Sequence, residues 1–239
     1  MDKNSISHHI FRQFNIELEE IRNRVFAMGG LVEQQIADAI AALVDADPHL
    51  AESVIANDYR VNALEVSIDE ACSHILARRQ PAASDLRLIV AVIKTITDLE
   101  RIGDEAEKIA RMAIRLSNME RPKDHYLEIQ NLGNHVGRMV HDALDAFARM
   151  DPEAALRVAQ EDDKVDHEYD RIMRQLITFM MEDPRTITRV LNVIWTARSL
   201  ERIGDHACNI SEYVIYLVKG KDVRHTSLEQ MEKDARADE

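Results

Sequence analysis

Apolar residues recur along this chain at intervals of three and four over segments of about thirty residues, the spacing that lines one face of an α-helix. Ile89, Ile93 and Ile96 form one such stripe, and Val190, Ile194 and Ala197 form another. The segments end at the five prolines Pro48, Pro81, Pro122, Pro152 and Pro184, each within a short polar break such as DADPH, RRQPAASD or MEDPR. Proline lacks the helical N–H and biases its predecessor away from the helical region, so five breaks predict six long helices. Ser84 and Asp85 read as capping residues of the third. Thirty residues span about 45 Å at 1.5 Å per residue. Rods of that length joined by short turns predict antiparallel neighbours in elongated bundles.

The pattern repeats. TITDLERIGDEAEKIA from Thr95 aligns with TARSLERIGDHACNIS from Thr196 at an offset of 101, so ERIGD occurs as Glu100–Asp104 and as Glu201–Asp205. Upstream the offset is 104, pairing Gly29 with Gly133, Ala37–Ile40 with His141–Leu144, Pro48 with Pro152 and Val61 with Val165. The prediction is an all-α protein of two tandem pseudo-symmetric three-helix bundles, residues 1–120 and 123–219, joined around Pro122. A polar C-terminal tail, residues 220–239, is expected to be frayed.

Composition narrows the function. Seven glycines and five prolines in 239 residues suit helices. A formal net charge of −13 argues against a nucleic-acid surface, which needs basic groups to replace phosphate counterions. Cys72 and Cys208 fall at non-equivalent places in the repeats and read as reduced thiols within helices. The N-terminus has no apolar signal core and the longest apolar run, Leu88–Ile93, stops at Lys94, which together predict a cytoplasmic protein. No Glu-x-x-His, GxGxxG, Walker or HExxH pattern points to an enzyme.

The candidate chemistry lies in carboxylates four residues apart, which share a helix face: Glu100 with Asp104 and Glu201 with Asp205. Asp58 with Asn62, and Asp162 with Asp166, have the same spacing on the preceding helices. Reflection about Pro81 sets Asp58 and Asn62 level with Asp104 and Glu100. Reflection about the turn at Asp183–Pro184 sets Asp162 and Asp166 level with Asp205 and Glu201. Four oxygen-bearing side chains at one height repel unless a cation or protons intervene, and such oxygens suit Mg²⁺, Mn²⁺, Ca²⁺ or iron. The alternative is a set of structural ion pairs in which Arg101 and Arg202 bridge to carboxylates. Gly103 and Gly204, unfavourable in mid-helix by roughly 0.8–1 kcal/mol relative to alanine, imply close helix approach or room for an ion. His141 and Asp142 fall near the height of Asp162 as further candidate ligands.

With the repeated DLERIGD and SLERIGD, the preceding QPAASDLRLI and the FAMGGLVEQQI of the first helix, the chain resembles the PhoU family over about residues 8 to 219. The resemblance implies two three-helix bundles whose acidic motifs bind metal ions (magnesium, manganese, iron or zinc). The matching residues here are Asp58, Glu100, Asp104, Asp162, Asp166, Glu201 and Asp205. Asn62 departs from the motif, which predicts a weaker first site. The implied function is negative regulation of the phosphate-starvation response and of phosphate uptake. It acts through contact with a phosphate ABC transporter ATPase and a sensor histidine kinase, so that the membrane is reached only through partners. A homodimer is also implied. The competing readings are a carboxylate-bridged di-metal oxidoreductase and a purely structural helical adaptor.

Overall fold

The computed structural model describes residues 3–119 and 124–237, with side chains described over 13–119 and 126–237. The junction expected at Pro122 lies outside them. Six long helices are present: α1 (Lys3–Asp45), α3 (Tyr59–Arg79), α4 (Ala83–Ser117), α5 (Asp124–Arg149), α7 (Asp162–Glu182) and α8 (Ile187–Lys219). Three short ones join them: α2 (Pro48–Asn57), α6 (Pro152–Ala159) and α9 (Leu228–Arg236). Among the described residues there is no strand.

The proline breaks act through local chemistry that the two halves share. Ahead of Pro48, Asp47 accepts from the backbone N–H of His49 (2.9 Å) and Leu50 (3.0 Å). Asp151 caps α6 in the same way through Glu153 and Ala154. Each cap follows a residue in the left-handed region, Ala46 (φ 55°) and Met150 (φ 52°). From the position after it an N–H reaches back five residues, Asp47 to Ala42 and Asp151 to Ala146, both at 3.0 Å. That closure satisfies a carbonyl at the end of α1 and of α5.

Three expectations need correction. The segments after Pro48 and Pro152 are each interrupted, at Asp58 and at Gln160–Glu161, so that a short helix precedes the long one. Ala82, with no side-chain bond, is the N-cap of α4, whereas Asp85 sits in its first turn, where its charge suits the helix dipole. The C-terminal segment is not frayed. Val223, Met231 and Ala235 are buried, Ser227 caps α9, and α9 rests on α6 and α8. Met231 and Ala235, four residues apart, give that otherwise charged helix one apolar edge.

The two bundles share a single cluster of buried apolar side chains. Helices α4 and α8 form its centre and run antiparallel: Arg202 Nη1 meets Glu105 Oε1 at 2.6 Å, while His206 Nδ1 lies 2.7 Å from Asp98 Oδ1. Helices α1 and α5 cross at a second, glycine-lined seam. A methyl group built on Gly29 would lie 2.8 Å from Leu144 Cδ1, and one on Gly133 would lie 2.5 Å from Ile40 Cδ1. Leu144 is the repeat counterpart of Ile40, so the seam is reciprocal.

Candidate metal centres

Each acidic quartet is assembled at one hairpin. The α3–α4 turn lies at Gln80–Ala82 and the α7–α8 turn at Asp183–Thr186, and across them Asp58 comes within electrostatic reach of Asp104 and Glu100, Asp162 of Asp205, and Asp166 of Glu201 and Asp205. Asp58 is the N-cap residue between α2 and α3, 8% exposed, and accepts from Gln35 Nε2 (3.2 Å) and Asn62 Nδ2 (3.1 Å). Its carboxyl is pushed above the ordinary range, mainly by burial and further by the charges of Glu107 and Asp104. Glu100 is raised in the same way, by burial and then by Asp104, with Glu65 and Asp58 adding to it.

Glu65 is a member that spacing alone missed. It lies one turn beyond Asn62, and burial with the charges of Asp69 and Asp104 raises its carboxyl too. Its counterpart in the second half is Tyr169, while Asn62 corresponds to Asp166. The acid lost at residue 62 is thus recovered one turn along, and both faces carry four carboxylates.

In the second face Asp162 opens α7, and Glu201 is 9% exposed on α8. Burial raises both carboxyls, with Asp205 and Asp166 adding repulsion. Asp205 is raised as well, by loss of hydration first and by Asp166. Cys208 donates its thiol to Asp162, and burial beside that carboxylate pushes the thiol far up, so it remains protonated. Burial likewise raises Cys72 to about 12.

The arginines divide unequally. Arg101 lies loosely over the first face, 3.5 Å from Glu100 and 4.0 Å from Asp104. Arg202 leaves the second face for Glu105 across the α4–α8 contact. The arginine that meets the second face is Arg198, one turn before Glu201 and bonded to its Oε1. His141 points elsewhere, pairing with Glu33 on α1 at 2.8 Å, and Asp142 lines a separate cleft between α5 and α6.

These residues suit a hard cation. Gln35 Oε1, Asn62 Oδ1 and Glu201 Oε2 are buried acceptors without a donor. An unpaired buried acceptor costs roughly 1–3 kcal/mol, which a cation offsets directly. Gly103 belongs to the same arrangement, since a methyl there would stand 3.2 Å from Gln35 Oε1 and 3.4 Å from Asp58 Oδ1. Among the described residues no three His, Cys, Asp or Glu side chains form a closed, ready-made centre. The faces are open carboxylate surfaces.

The raised carboxyls give a pH test with a definite sign. Each holds its proton more tightly in the fold than unfolded, so their ionisation destabilises the fold as pH rises from about 4, the ordinary carboxylate value. A bound cation removes that repulsion, and protons compete with it at low pH. Saturating Mn²⁺ added to chelator-treated protein is expected to raise Tm at pH 7 by roughly 5–10 °C, from about 2.7 kcal/mol at a hundredfold excess over Kd. The rise is expected to be much smaller at pH 5. Equal rises at both pH values in a melting experiment count against carboxylate ligation.

Comparison with known proteins covers nearly the whole chain. The PhoU domain profile matches residues 25–113 and 129–214. The phosphate-specific transport system accessory protein PhoU homolog of Pseudomonas aeruginosa is 57% identical over 234 residues, covering 98% of this chain and 97% of its own. The Escherichia coli K12 protein, phosphate-specific transport system accessory protein PhoU, is 52% identical over 98% of this chain and 96% of its own. The crystal structure of PhoU from Pseudomonas aeruginosa superimposes with a TM-score of 0.85 at 58% identity, covering 87% of this chain and all of that one.

Proposed function

The chain belongs to the PhoU family, and from that premise we propose that it is a negative regulator of phosphate uptake and of the phosphate-starvation response. It acts in the cytoplasm by contact with the ATPase of a phosphate ABC transporter and with a sensor histidine kinase, its acidic faces holding divalent or iron ions. The observation that carries this reading is end-to-end identity above one half with relatives named as accessory proteins of that transport system.

A contact role is supported by the surface of the second hairpin. Ile187, Leu191 and Trp195, the last 61% exposed, form a stripe at four-residue spacing on α8, and Ile177 and Met181 are exposed on α7 beside it. At the corresponding positions the first half has Ser73 and Ala77 on α3, and on α4 keeps the apolar Leu86 and Val90 but has Lys94 in place of the tryptophan. Exposed apolar surface of this kind is characteristic of protein contacts. Among the described residues no helix is long and apolar enough to cross a membrane, so contact with the membrane would come through partners.

The oxidoreductase reading has less support. Ferritin-like di-metal sites recruit histidine, whereas His135, His141 and His206 are engaged with Glu161 and Glu168, Glu33, and Asp98. Deleting the gene, together with any paralogue, is expected to leave phosphate-starvation genes expressed in phosphate-rich medium. Normal repression in that strain, read from a reporter, would remove the regulatory reading.

A further inference from the structure

Helices α5 and α6 enclose a cleft of about 360 Å³ whose lining includes His135, Arg138, Asp142, Arg149, Arg157 and Glu161. The first half has the corresponding groove between α1 and α2, but it is only about 80 Å³. The repeat makes the two comparable residue by residue. Leu31 stands where the second half has His135, Gln34 where it has Arg138, Asp45 where it has Arg149, and Ser53 where it has Arg157. Asp38 corresponds to Asp142, so the shared acid is retained; three guanidinium groups and an imidazole have been added, together with two carboxylates, Asp145 in place of Ala41 and Glu161 in place of Asn57, while Arg60 of the first groove corresponds to Lys164.

Not all of these charges are balanced. Arg149 pairs with Asp145, and Glu161 is met by Lys164 at 2.7 Å and by His135 at 3.2 Å. Arg138 and Arg157 are exposed and have no hydrogen-bond or ion-pair partner among the described residues. Asp142 is the one lining carboxylate without a partner there. Two free guanidinium groups on different helices thus open into one cleft of a chain whose net charge is −13. Two unpaired guanidinium groups gathered in one concavity offer converging donors to an anion.

The type of anion follows from guanidinium geometry. One fork is filled by a planar carboxylate, whereas a tetrahedral oxyanion with two charges presents acceptors to two forks at once. We propose that the α5–α6 cleft binds a phosphate-type oxyanion, either free or as the terminal group of a small molecule, held by Arg138 and Arg157. The site is separate from the acidic quartets and does not depend on the regulatory reading.

Titration calorimetry tests this on the full-length protein after chelator treatment, so that cations on the acidic faces cannot capture the anion. The probes are inorganic phosphate and a nucleoside triphosphate. Saturable binding that weakens at least tenfold in Arg138→Gln with Arg157→Ser is expected, a change that restores the first-half residues at exposed positions. Arg60→Gln, which removes the exposed arginine of the corresponding first-half groove, is expected to bind as the parent does. Equal affinity for both probes identifies free phosphate as sufficient, and preference for the triphosphate identifies a phosphorylated small molecule; both support the proposal. Absence of saturable binding at millimolar probe, or equal weakening in Arg60→Gln, overturns it. Matching melting temperatures of the variants and the parent exclude unfolding as the cause.

Discussion

Replacing Glu201 and Asp205 together by alanine is expected to strip the second acidic face of its cation and leave the metal-free fold intact. The two side chains share the α8 face that meets Asp162 and Asp166, and Glu201 Oε2 is buried without a donor. Their loss leaves two carboxylates on α7 with no opposing ligands. Metal content by mass spectrometry should therefore fall to whatever the first face retains, and the Mn²⁺-induced gain, about 2.7 kcal/mol at a hundredfold excess, should shrink accordingly. The metal-free variant should stay within about 1 kcal/mol of the parent, because the raised carboxyls repel one another when charged and their removal offsets the lost Arg198 contact. Opposite effects with and without metal separate a ligand role from a structural ion-pair role. Unchanged metal content would take both residues off the ligand set.

The second large effect is expected at the α1–α5 seam. Gly133 lies where even a methyl group would stand 2.5 Å from Ile40 Cδ1 and 2.9 Å from Cγ1, and Ile40 is buried. Alanine gains about 1 kcal/mol of helix propensity there, against an overpacking cost of roughly 1–3 kcal/mol. Valine lacks most of that gain and adds two further methyl groups. Gly133→Val is expected to cost about 3 kcal/mol, a fall in Tm of roughly 10 °C for a chain of this size. The decisive measurement is the pair with Ile40→Ala, a change that alone opens a cavity. The two costs should fail to add by roughly 1–2 kcal/mol as each relieves the other. Strict additivity would mean that the close approach does not limit the seam.

Much of this was readable from residue spacing because short turns leave little freedom. Once Pro81 and Pro184 mark the hairpins, the height of every side chain on either rod follows from its distance to the turn, which is why Asp58 is level with Asp104 and Asp162 with Asp205. Partners from elsewhere in the chain have no such rule. Gln35 reaches Asp58 from α1, and Arg202 leaves its own motif for Glu105 because α4 and α8 pack against each other. Arg198 and Glu65, each a single turn from a motif residue, were within reach of the same helical spacing. The breaks at Asp58 and Gln160–Glu161 carry neither proline nor glycine, so nothing local announced them. Helix α9 was hidden by its few apolar residues, Leu228, Met231 and Ala235 among charged ones, and becomes ordered where α6 and α8 accept its edge.

The reciprocal seam also bears on how such a chain could arise. Each half contributes one protruding side chain, Ile40 or Leu144, and one glycine notch, Gly29 or Gly133. A protrusion and a notch on the same unit are what two half-length copies would need to clasp each other about a twofold axis. Joining the units through residues 118–123 turns that association into an intramolecular one, at an effective concentration on the order of millimolar. Freed from having to match an identical copy, the halves could diverge, and the arginines of one cleft and the tryptophan of one hairpin show how far they have done so.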